Sequence, residues 1–568
     1  MSKQHPWMPR GEGECAAGGG LDRHHFTPAD YAVFGAILCI SVSAGVFQGC
    51  FRGRKTTASE YLMGDRKMHF FPVGISLIIG FSTAISVLGN PVEMYNYGGQ
   101  LYIFSTAFFI AGPMTTALYI PVYDRLGITS VNEMMSNALT LYAPALALAE
   151  VTNLNIYVIL SIVFGVCVFY VSIGGIKAVI WSDVVLFVVL VGTLAALIVR
   201  GTILGGGLEQ VWNDNLATGR LQLLDFNPDP TVRHTFVSVL IGGTFYWTGI
   251  MAANQSAVQR LLTLPSNKEA TKCIWLSAVG NVFITGVLFY IGMMIYSSYK
   301  DCDPMSAKMV ERSDQLLPLY VMDVMGDYPG LPGLFVACVF STSIGDTATM
   351  LNGMTAITLR DFVFGLLHKD LTETQAGTLS KYISFGYGIT SFAFVFLVSH
   401  VGGVIQTNLS MNGLIIGIAL GEFVLGMFFP WANWKGALGG SVMSIAFMMW
   451  LSWSTQVAVG DGRIVYETKP ISVLGCPCNA TIETPLVSNE EVFPLLKLSY
   501  MWYAPLGLIL FLVISMVISG MTGFQDPREL DQRLTSPLAH RIFNKLPDSM
   551  RNFLKLPVYG LNDNGKQL

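Results

Sequence analysis

The chain has 568 residues, of which 52% are hydrophobic and only 12% are charged, and its mean hydropathy is +0.53. Soluble proteins average about 25% charged residues, so these values exclude an ordinary soluble domain. They indicate an all-α protein with many transmembrane segments and the lipid bilayer as its surroundings. The formal net charge of −4 is too small to indicate a nucleic-acid partner.

The first predicted elements are a polar tail, residues 1–28, and a peripheral transmembrane helix, residues 29–52. The tail has little apolar surface to bury and is expected to be disordered. Arg52, Arg54 and Lys55 follow the helix, and basic loops stay on the cytoplasmic side, so we expect the tail to be extracellular. Continuing this alternation predicts about 13 transmembrane segments. The last two cross within residues 437–520, and residues 521–568 form a cytoplasmic tail at the plasma membrane.

The next span, in residues 70–100, is unusual because its middle is rich in small and hydroxyl residues. Gly80, Ser82, Thr83 and Ser86 weaken a helix at a depth where lipid supplies no replacement hydrogen bonds. A span that unwinds there must line a cavity or face protein, and its freed carbonyls can bind a cation. Alternatively, the small residues only let two helices approach closely. The span alone leaves both interpretations open.

The crossing predicted near residues 126–149 is too short. Its apolar run, residues 138–149, contains Pro144 and falls well below the roughly 20 residues that span a bilayer. Either the polar residues before it are drawn into the membrane, or the segment is a half-helix. A splice or gene-model deletion is the third interpretation.

Two features mark the loops predicted to be extracellular. Asn479 begins an Asn-Ala-Thr sequon and is a predicted glycosylation site. Cys302, Cys476 and Cys478 lie in polar loops, where a disulfide between two of them is expected.

The sequence contains no Walker loop, no GxSxG elbow, no HExxH helix and no histidines at metal-ligand spacing, so we do not expect an enzyme. Several longer motifs instead resemble the sodium:solute symporter family (solute carrier family 5). They are GDRKM at 64–68, LGNP at 88–91, GGIKAVIWSD at 174–183, NQSAVQR at 254–260 and YPGLPGLFVAC at 328–338. The resemblance is nearest the branch that holds sodium-coupled monocarboxylate, multivitamin and iodide transporters. FNPDP at 226–230 and DCDP at 301–304 resemble the monocarboxylate members.

This resemblance implies a LeuT-like core of two five-helix inverted repeats, residues 70–204 and 236–429, with the other spans peripheral. It also implies a sodium-coupled symporter of a small organic anion, a monocarboxylate, that works by alternating access. The alternatives are an uncoupled or proton-coupled transporter, a substrate sensor that kept the fold, or a multivitamin-type or iodide-type substrate. The oligomeric state is left open.

At the positions that match the family's sodium site, this chain differs from the family pattern at two residues. Matching positions supply the carbonyls of Ile79, Ser82 and Thr342, and then two adjacent hydroxyl residues. This chain has Gly345 and Asp346 in their place. A carboxylate at membrane depth costs about 2.5–3.5 kcal/mol, so it is rarely idle. Sodium would neutralise Asp346, and without sodium the carboxylate would tend to take up a proton, which allows H+ coupling. The alternative is lost coupling.

Two further acids lie in predicted spans. Asp183 matches a family acid associated with cation coupling, but at the inner end of a span it can equally be a helix-terminus residue that pairs with Lys177. Glu422 either faces a cavity near Asp346 or lies toward the interface.

Candidate substrate contacts surround the interrupted span. Thr83 and Ser86 can donate hydrogen bonds to a carboxylate, and Trp247 lies on the helix expected to face them, residues 236–253. A basic loop predicted to be cytoplasmic follows that helix. Asn254 matches a position that contacts substrate in relatives. The N-termini of half-helices favour anions. No membrane-buried arginine is expected, so the sequence does not identify the anion.

Overall fold

The computed structural model describes residues 26–46, 66–120, 148, 152, 156–368, 371–398, 404–476, 492–530 and 534–557. No β-strand occurs in this part of the chain. Its α-helices are α1 Pro28–Val46, α2 Phe70–Phe81, α3 Ala84–Tyr97, α4 Tyr102–Thr106, α5 Phe108–Met114, α6 Ile156–Leu204, α7 Leu208–Ala217, α8 Phe236–Ala252, α9 Gln255–Leu262, α10 Asn267–Tyr299, α11 Leu316–Met325, α12 Leu331–Ile357, α13 Glu373–Val398, α14 Val404–Phe428, α15 Trp434–Gly460, α16 Tyr503–Thr522, α17 Pro537–Asn544 and α18 Asp548–Phe553. Stretches of π-helix, Thr115–Tyr119 and Thr358–Leu366, occur at residues that continue α5 and α12.

The interrupted first span is present in the structure. α2 and α3 form a pair bent by 54°. The amide of Ser82 still donates to the carbonyl of Ile78, and the helical ladder ends there. Thr83 is extended and begins α3, because its hydroxyl accepts a hydrogen bond from the amide of Ser86 at 3.4 Å. The small and hydroxyl residues therefore mark the break correctly.

A second broken pair begins the other predicted half of the core. α8 and α9 are bent by 52°. The sequence predicts that this span ends at residue 253 and that the following residues form a cytoplasmic loop. The structure instead continues the chain into α9, with Asn254 as its N-cap. Each predicted repeat thus opens with a broken helix, whereas the repeat boundaries themselves stay a prediction.

Within the described ranges, seven helices are long and apolar enough to cross a membrane, or nine when each bent pair is one span. The predicted total of about 13 is not reached by this part of the chain. The short crossing near residues 126–149 lies almost wholly outside the described residues.

One predicted boundary is wrong. In the sequence, Gly174 and Gly175 followed by Lys177 predict a cytoplasmic loop between two spans, but α6 runs unbroken from Ile156 to Leu204. A glycine costs a helix only about 1 kcal/mol, and no proline interrupts this run. The apolar residues on either side therefore carry the helix through the glycine pair.

The broken helices lie inside the bundle. α2 and α3 both pack on α10, α8 packs on α5 and α14, and α12 packs on α6 and α1. α12 is almost wholly buried and contacts α2, α3 and α9, so its polar residues lie near both breaks.

Candidate binding site at the helix breaks

The two breaks open onto one cavity of about 110 Å³. Aromatic and aliphatic side chains form much of its wall, including Phe81, Phe104, Trp247 and Met350. The polar side chains that line it are Ser82, Thr83, Ser86, Asn90, Ser105, Asn254, Ser256, Arg260, Asn281, Thr285, Asp346, Asn408 and Asn412. A concave space with an apolar wall and convergent polar groups is the usual form of a small-molecule site.

Two helix N-termini face this cavity. Thr83 caps α3, and Asn254 caps α9 by accepting a hydrogen bond from the amide of Ala257 at 3.3 Å. Both capping residues line the cavity. The exposed N–H groups of a helix N-terminus and its partial positive charge favour an anion. Thr83 and Asn254, two of the predicted substrate residues, therefore line the same cavity.

The other two predicted substrate residues also line the cavity, with different chemistry. The indole N–H of Trp247 donates to the carbonyl of Phe104 at 2.9 Å, and the Trp247 ring packs on Phe108 with the centroids 4.0 Å apart. Trp247 therefore offers an apolar wall and no free donor. The hydroxyl of Ser86 lies 3.4 Å from the carbonyl of Phe81, across the break.

A buried ion pair lies beside the first break. Asp183 is 0% exposed, accepts a hydrogen bond from the Ser76 hydroxyl at 2.6 Å and lies 3.5 Å from a terminal nitrogen of Arg260. Asp183 sits well inside α6, so its interpretation as a helix-terminus residue is wrong. Its partners come from α2 and α9, which are remote in sequence.

Arg260 corrects the expectation that no arginine is buried in the membrane. Its side chain is 2% exposed, lines the cavity and donates to the Thr349 hydroxyl at 3.0 Å. A Cβ atom at Gly80 would lie only 1.9 Å from the Nη1 atom of Arg260. Gly80 therefore makes room for a guanidinium group as well as weakening the helix. In the sequence, Arg260 belongs to a matched family motif and to a predicted basic loop, and neither identifies it as a buried charge.

Asp346 lines the same cavity and is 3% exposed. One of its carboxylate oxygens has no hydrogen-bond partner among the described residues. Arg260 and Asp183 are both close enough to interact with it electrostatically. Two ionised carboxylates and one guanidinium leave one negative charge, and an unbalanced buried charge is costly. The cluster is therefore suited to a monovalent cation.

The predicted sodium ligands are only partly brought together. Ser82 and Asp346 line the cavity, whereas Ile79, Thr342 and Gly345 are buried beside it without lining it. The Thr342 hydroxyl donates to the carbonyl of Val339 in its own helix at 2.8 Å. The five-residue ligand set stays a prediction, with its best support at Ser82 and Asp346.

Several cavity residues were missed by the sequence analysis, and four of them are asparagines, including Asn90. Asn281, Asn408 and Asn412 come from α10 and α14, and the Asn412 amide donates to Asn408 at 2.8 Å. An asparagine in an apolar span is a usable signal, because its amide needs a hydrogen-bond partner there. Nothing in the sequence spacing shows that these spans meet at the breaks.

Of the remaining predicted residues, the described ones, Cys302, Cys476 and Glu422, do not line the cavity. Cys302 and Cys476 form a disulfide with their Cα atoms 4.8 Å apart, whereas Cys478 and Asn479 lie outside the described residues. Glu422 accepts a hydrogen bond from Ser441 at 2.8 Å on the exposed side of α14. It does not line the cavity, so of the two interpretations of Glu422 the structure agrees with the one that places it away from Asp346.

Comparisons with known proteins agree with this architecture. The model of the "Sodium:solute symporter family" matches residues 138–444. The chain is similar to sodium-coupled monocarboxylate transporter 2 of Mus musculus, with 33% identity over 91% of this chain and 87% of that protein. It is also similar to a putative sodium-dependent multivitamin transporter of Drosophila melanogaster, with 32% identity over 85% and 84% of the two chains.

Among solved structures, a Na+-coupled sialic acid symporter in a substrate-bound outward-open state has a similar fold. The TM-score is 0.70 at 20% identity, and the match covers 88% of this chain and 99% of that one. This likeness confirms the predicted LeuT-like fold.

Proposed function

We propose, from the premise that the chain belongs to the sodium:solute symporter family, that this sodium-coupled symporter carries a small monocarboxylate anion by alternating access. The co-transported ion is Na+. The substrate class, the residues that hold each solute and the cellular location are the proposed parts.

The observation that carries the proposal is that groups favouring an anion and groups favouring a cation line the same cavity. The N-termini of α3 and α9, capped by Thr83 and Asn254, favour a carboxylate. On the same cavity, Asp346 beside the Asp183–Arg260 pair favours a cation. An anion and a cation bound this close reduce each other's desolvation cost, which is the physical basis for carrying them together.

The size of the cavity favours a short anion. Pockets that take drug-sized ligands have volumes of about 300–1,000 Å³, whereas this cavity measures about 110 Å³. An apolar wall that includes Trp247 and Phe104 suits a short alkyl chain. The similarity to a monocarboxylate transporter supports the same class. A vitamin-sized substrate would require the cavity to widen.

One specific observation favours a second candidate, a proton-coupled transporter. Asp346 replaces a hydroxyl residue of the family pattern, and one of its oxygens is unpartnered among the described residues. A proton neutralises such a carboxylate as well as a sodium ion does. The two candidates differ in which ion gradient drives transport.

We place the protein in the plasma membrane with an extracellular N-terminus and a cytoplasmic C-terminus. The disulfide between Cys302 and Cys476 supports this orientation, because it joins loops that the charge pattern places outside. Disulfides persist in the oxidising extracellular space and are rare in the cytosol.

The test is uptake of labelled short monocarboxylates into cells that express the chain, with external sodium replaced by choline at two external pH values. We expect uptake of the short monocarboxylates to require sodium. We expect no uptake of a vitamin-sized acid. Uptake that persists in choline and rises as external pH falls would support proton coupling. Uptake of neither class, with the protein present at the surface, would overturn the proposed substrate.

A further inference from the structure

The short helix α7 lies at the end of a transmembrane helix and has three distinct faces. The span α6 ends at Leu204, and the chain then turns through Gly206 and Gly207, whose φ angles are +87° and +98°. Such angles are readily adopted by glycine and by few other residues. The turn ends the crossing and lets α7 take a new direction at the membrane surface.

The first face of α7 is fixed to the protein. Val211 and Asn215 are buried, and the Asn215 amide donates to the carbonyl of Met293 in α10 at 3.0 Å. Asp214 forms an ion pair of 3.0 Å with Lys300, at the end of α10. These contacts set the rotation of the helix about its own axis.

The second face is apolar and exposed. Leu208, Trp212 and Leu216 are 62%, 52% and 58% exposed, and their i, i+4, i+8 spacing places them in one stripe. The third face is polar and carries Glu209, Gln210 and Asn213, which are also exposed.

Exposed apolar residues also occur just before the stripe, at the end of α6. Val199 and Ile203, on the last turns of α6, are 61% and 68% exposed, one helical turn apart. They lie on a helix that is long and apolar enough to cross a membrane, so we expect this exposed face to contact acyl chains. Leu208 follows only five residues after Ile203, which places the stripe close in the chain to the end of that helix.

The stripe is too small to be a protein interface. Even an aromatic side chain buries only about 150–250 Å², so these three side chains alone fall short of the roughly 1,000 Å² in total that a stable interface needs. A tryptophan beside a polar face is instead typical of the boundary between headgroups and acyl chains.

We propose that α7 is an interfacial helix that lies in the membrane surface at this end of the bundle. Leu208, Trp212 and Leu216 insert among the lipid headgroups and upper acyl chains, and Glu209 and Asn213 face water. The buried face anchors the C-terminal end of α6 to α10, so the lipid contact holds that end of the bundle at a defined depth.

The test uses the full chain in phosphatidylcholine nanodiscs with a small fluorescent amino acid at one position. Position 212 reports the apolar stripe, position 216 repeats the measurement on the same stripe, and position 213 is the matched control on the polar face. Quenching is measured with a nitroxide attached high on a lipid acyl chain, and separately with aqueous iodide.

We expect the lipid nitroxide to quench positions 212 and 216 several-fold more than position 213, and iodide to show the reverse order. Equal iodide quenching at 212 and 213, with little nitroxide quenching, would place the helix in water and overturn the proposal. Protection of 212 and 216 from both quenchers would also overturn it, because the stripe would then be covered by protein, such as a second copy of the chain.

Discussion

The Arg260 guanidinium lies 3.5 Å from the Asp183 carboxylate inside the helix bundle, where both side chains are almost completely shielded from water. This pair joins α9, the second half of one broken helix, to α6. Ser76 of α2 donates to the same carboxylate, so the first broken helix is tied to the pair as well. A change in the charge of this cluster therefore acts on both broken helices that line the cavity.

The Asp346 carboxylate, which lies near this pair, should control how uptake depends on the cation. Asp346→Asn keeps the size of the side chain and removes its charge, so we expect a loss of apparent sodium affinity with little change in surface expression. The measurement is sodium activation of substrate uptake together with surface biotinylation. Glu422→Gln is the matched control, because Glu422 lies in a span but does not line the cavity. An unchanged sodium-activation curve for Asp346→Asn would remove Asp346 from the cation site.

Gly345 should tolerate no side chain without rearrangement. A Cβ atom there would lie 2.8 Å from a carboxylate oxygen of Asp183. We expect Gly345→Ala to lower the stability of the purified protein by about 1–3 kcal/mol, as overpacking usually does. Thermal unfolding in detergent measures the change. Gly386→Ala is the control, since a Cβ atom there meets nothing within 4 Å, and an equal effect of the two variants would argue against the close contact.

A second buried ion pair should matter for stability through charge balance. Arg233 lies 2.6 Å from Glu93, and its guanidinium is 4.0 Å from the centre of the Tyr97 ring. Glu93→Gln leaves the charge of the buried Arg233 uncompensated. We therefore expect the free energy of unfolding, measured by thermal or denaturant unfolding in detergent, to fall by about 3–5 kcal/mol. The double variant Glu93→Gln with Arg233→Met should recover part of this loss. A double variant less stable than Glu93→Gln alone would show that Arg233 stabilises the fold without its partner.

His234 should make the stability depend on pH. Burial, and then the charge of Arg233, hold the pKa of His234 well below its ordinary value of 6.5, and its ring nitrogen lies 2.6 Å from the Tyr500 hydroxyl. Above pH 6.5 the imidazole is neutral in both the folded and the unfolded chain, so it has no effect. Below pH 6.5 only the unfolded chain takes up the proton, and stability falls by at most about 1.4 kcal/mol per pH unit.

The measurement for His234 is the difference in melting temperature between pH 7.5 and pH 5.5 for the wild type and for His234→Gln. We expect a smaller difference in the variant, because glutamine does not titrate. Equal differences in the two proteins would contradict a neutral, buried His234.

The first break was predictable from the sequence because its cause is local. Ser82 and Thr83 carry the weak helix propensity and the capping hydroxyl that end one helix and begin the next. The same reasoning failed at Gly174 and Gly175, where two weak positions lie in a long apolar run that keeps the helix intact.

The role of Arg260 was not predictable from local sequence. Its neighbours Gly80, Asp183 and Thr349 lie far away along the chain, and only the packing of α2, α6 and α12 around α9 brings them to the guanidinium. A basic residue after an apolar run usually marks a loop, and that interpretation hid a buried charge. Asp346 was found because its departure from the family pattern is visible in the sequence itself.

The most direct test of sodium-coupled symport uses proteoliposomes that hold equal concentrations of a labelled short monocarboxylate on both sides. An inward sodium gradient is then imposed at constant pH. We expect the substrate to accumulate inside above its external concentration, and a sodium ionophore to abolish this accumulation. Substrate that stays equal on both sides while exchanging freely would contradict coupling and indicate a uniporter.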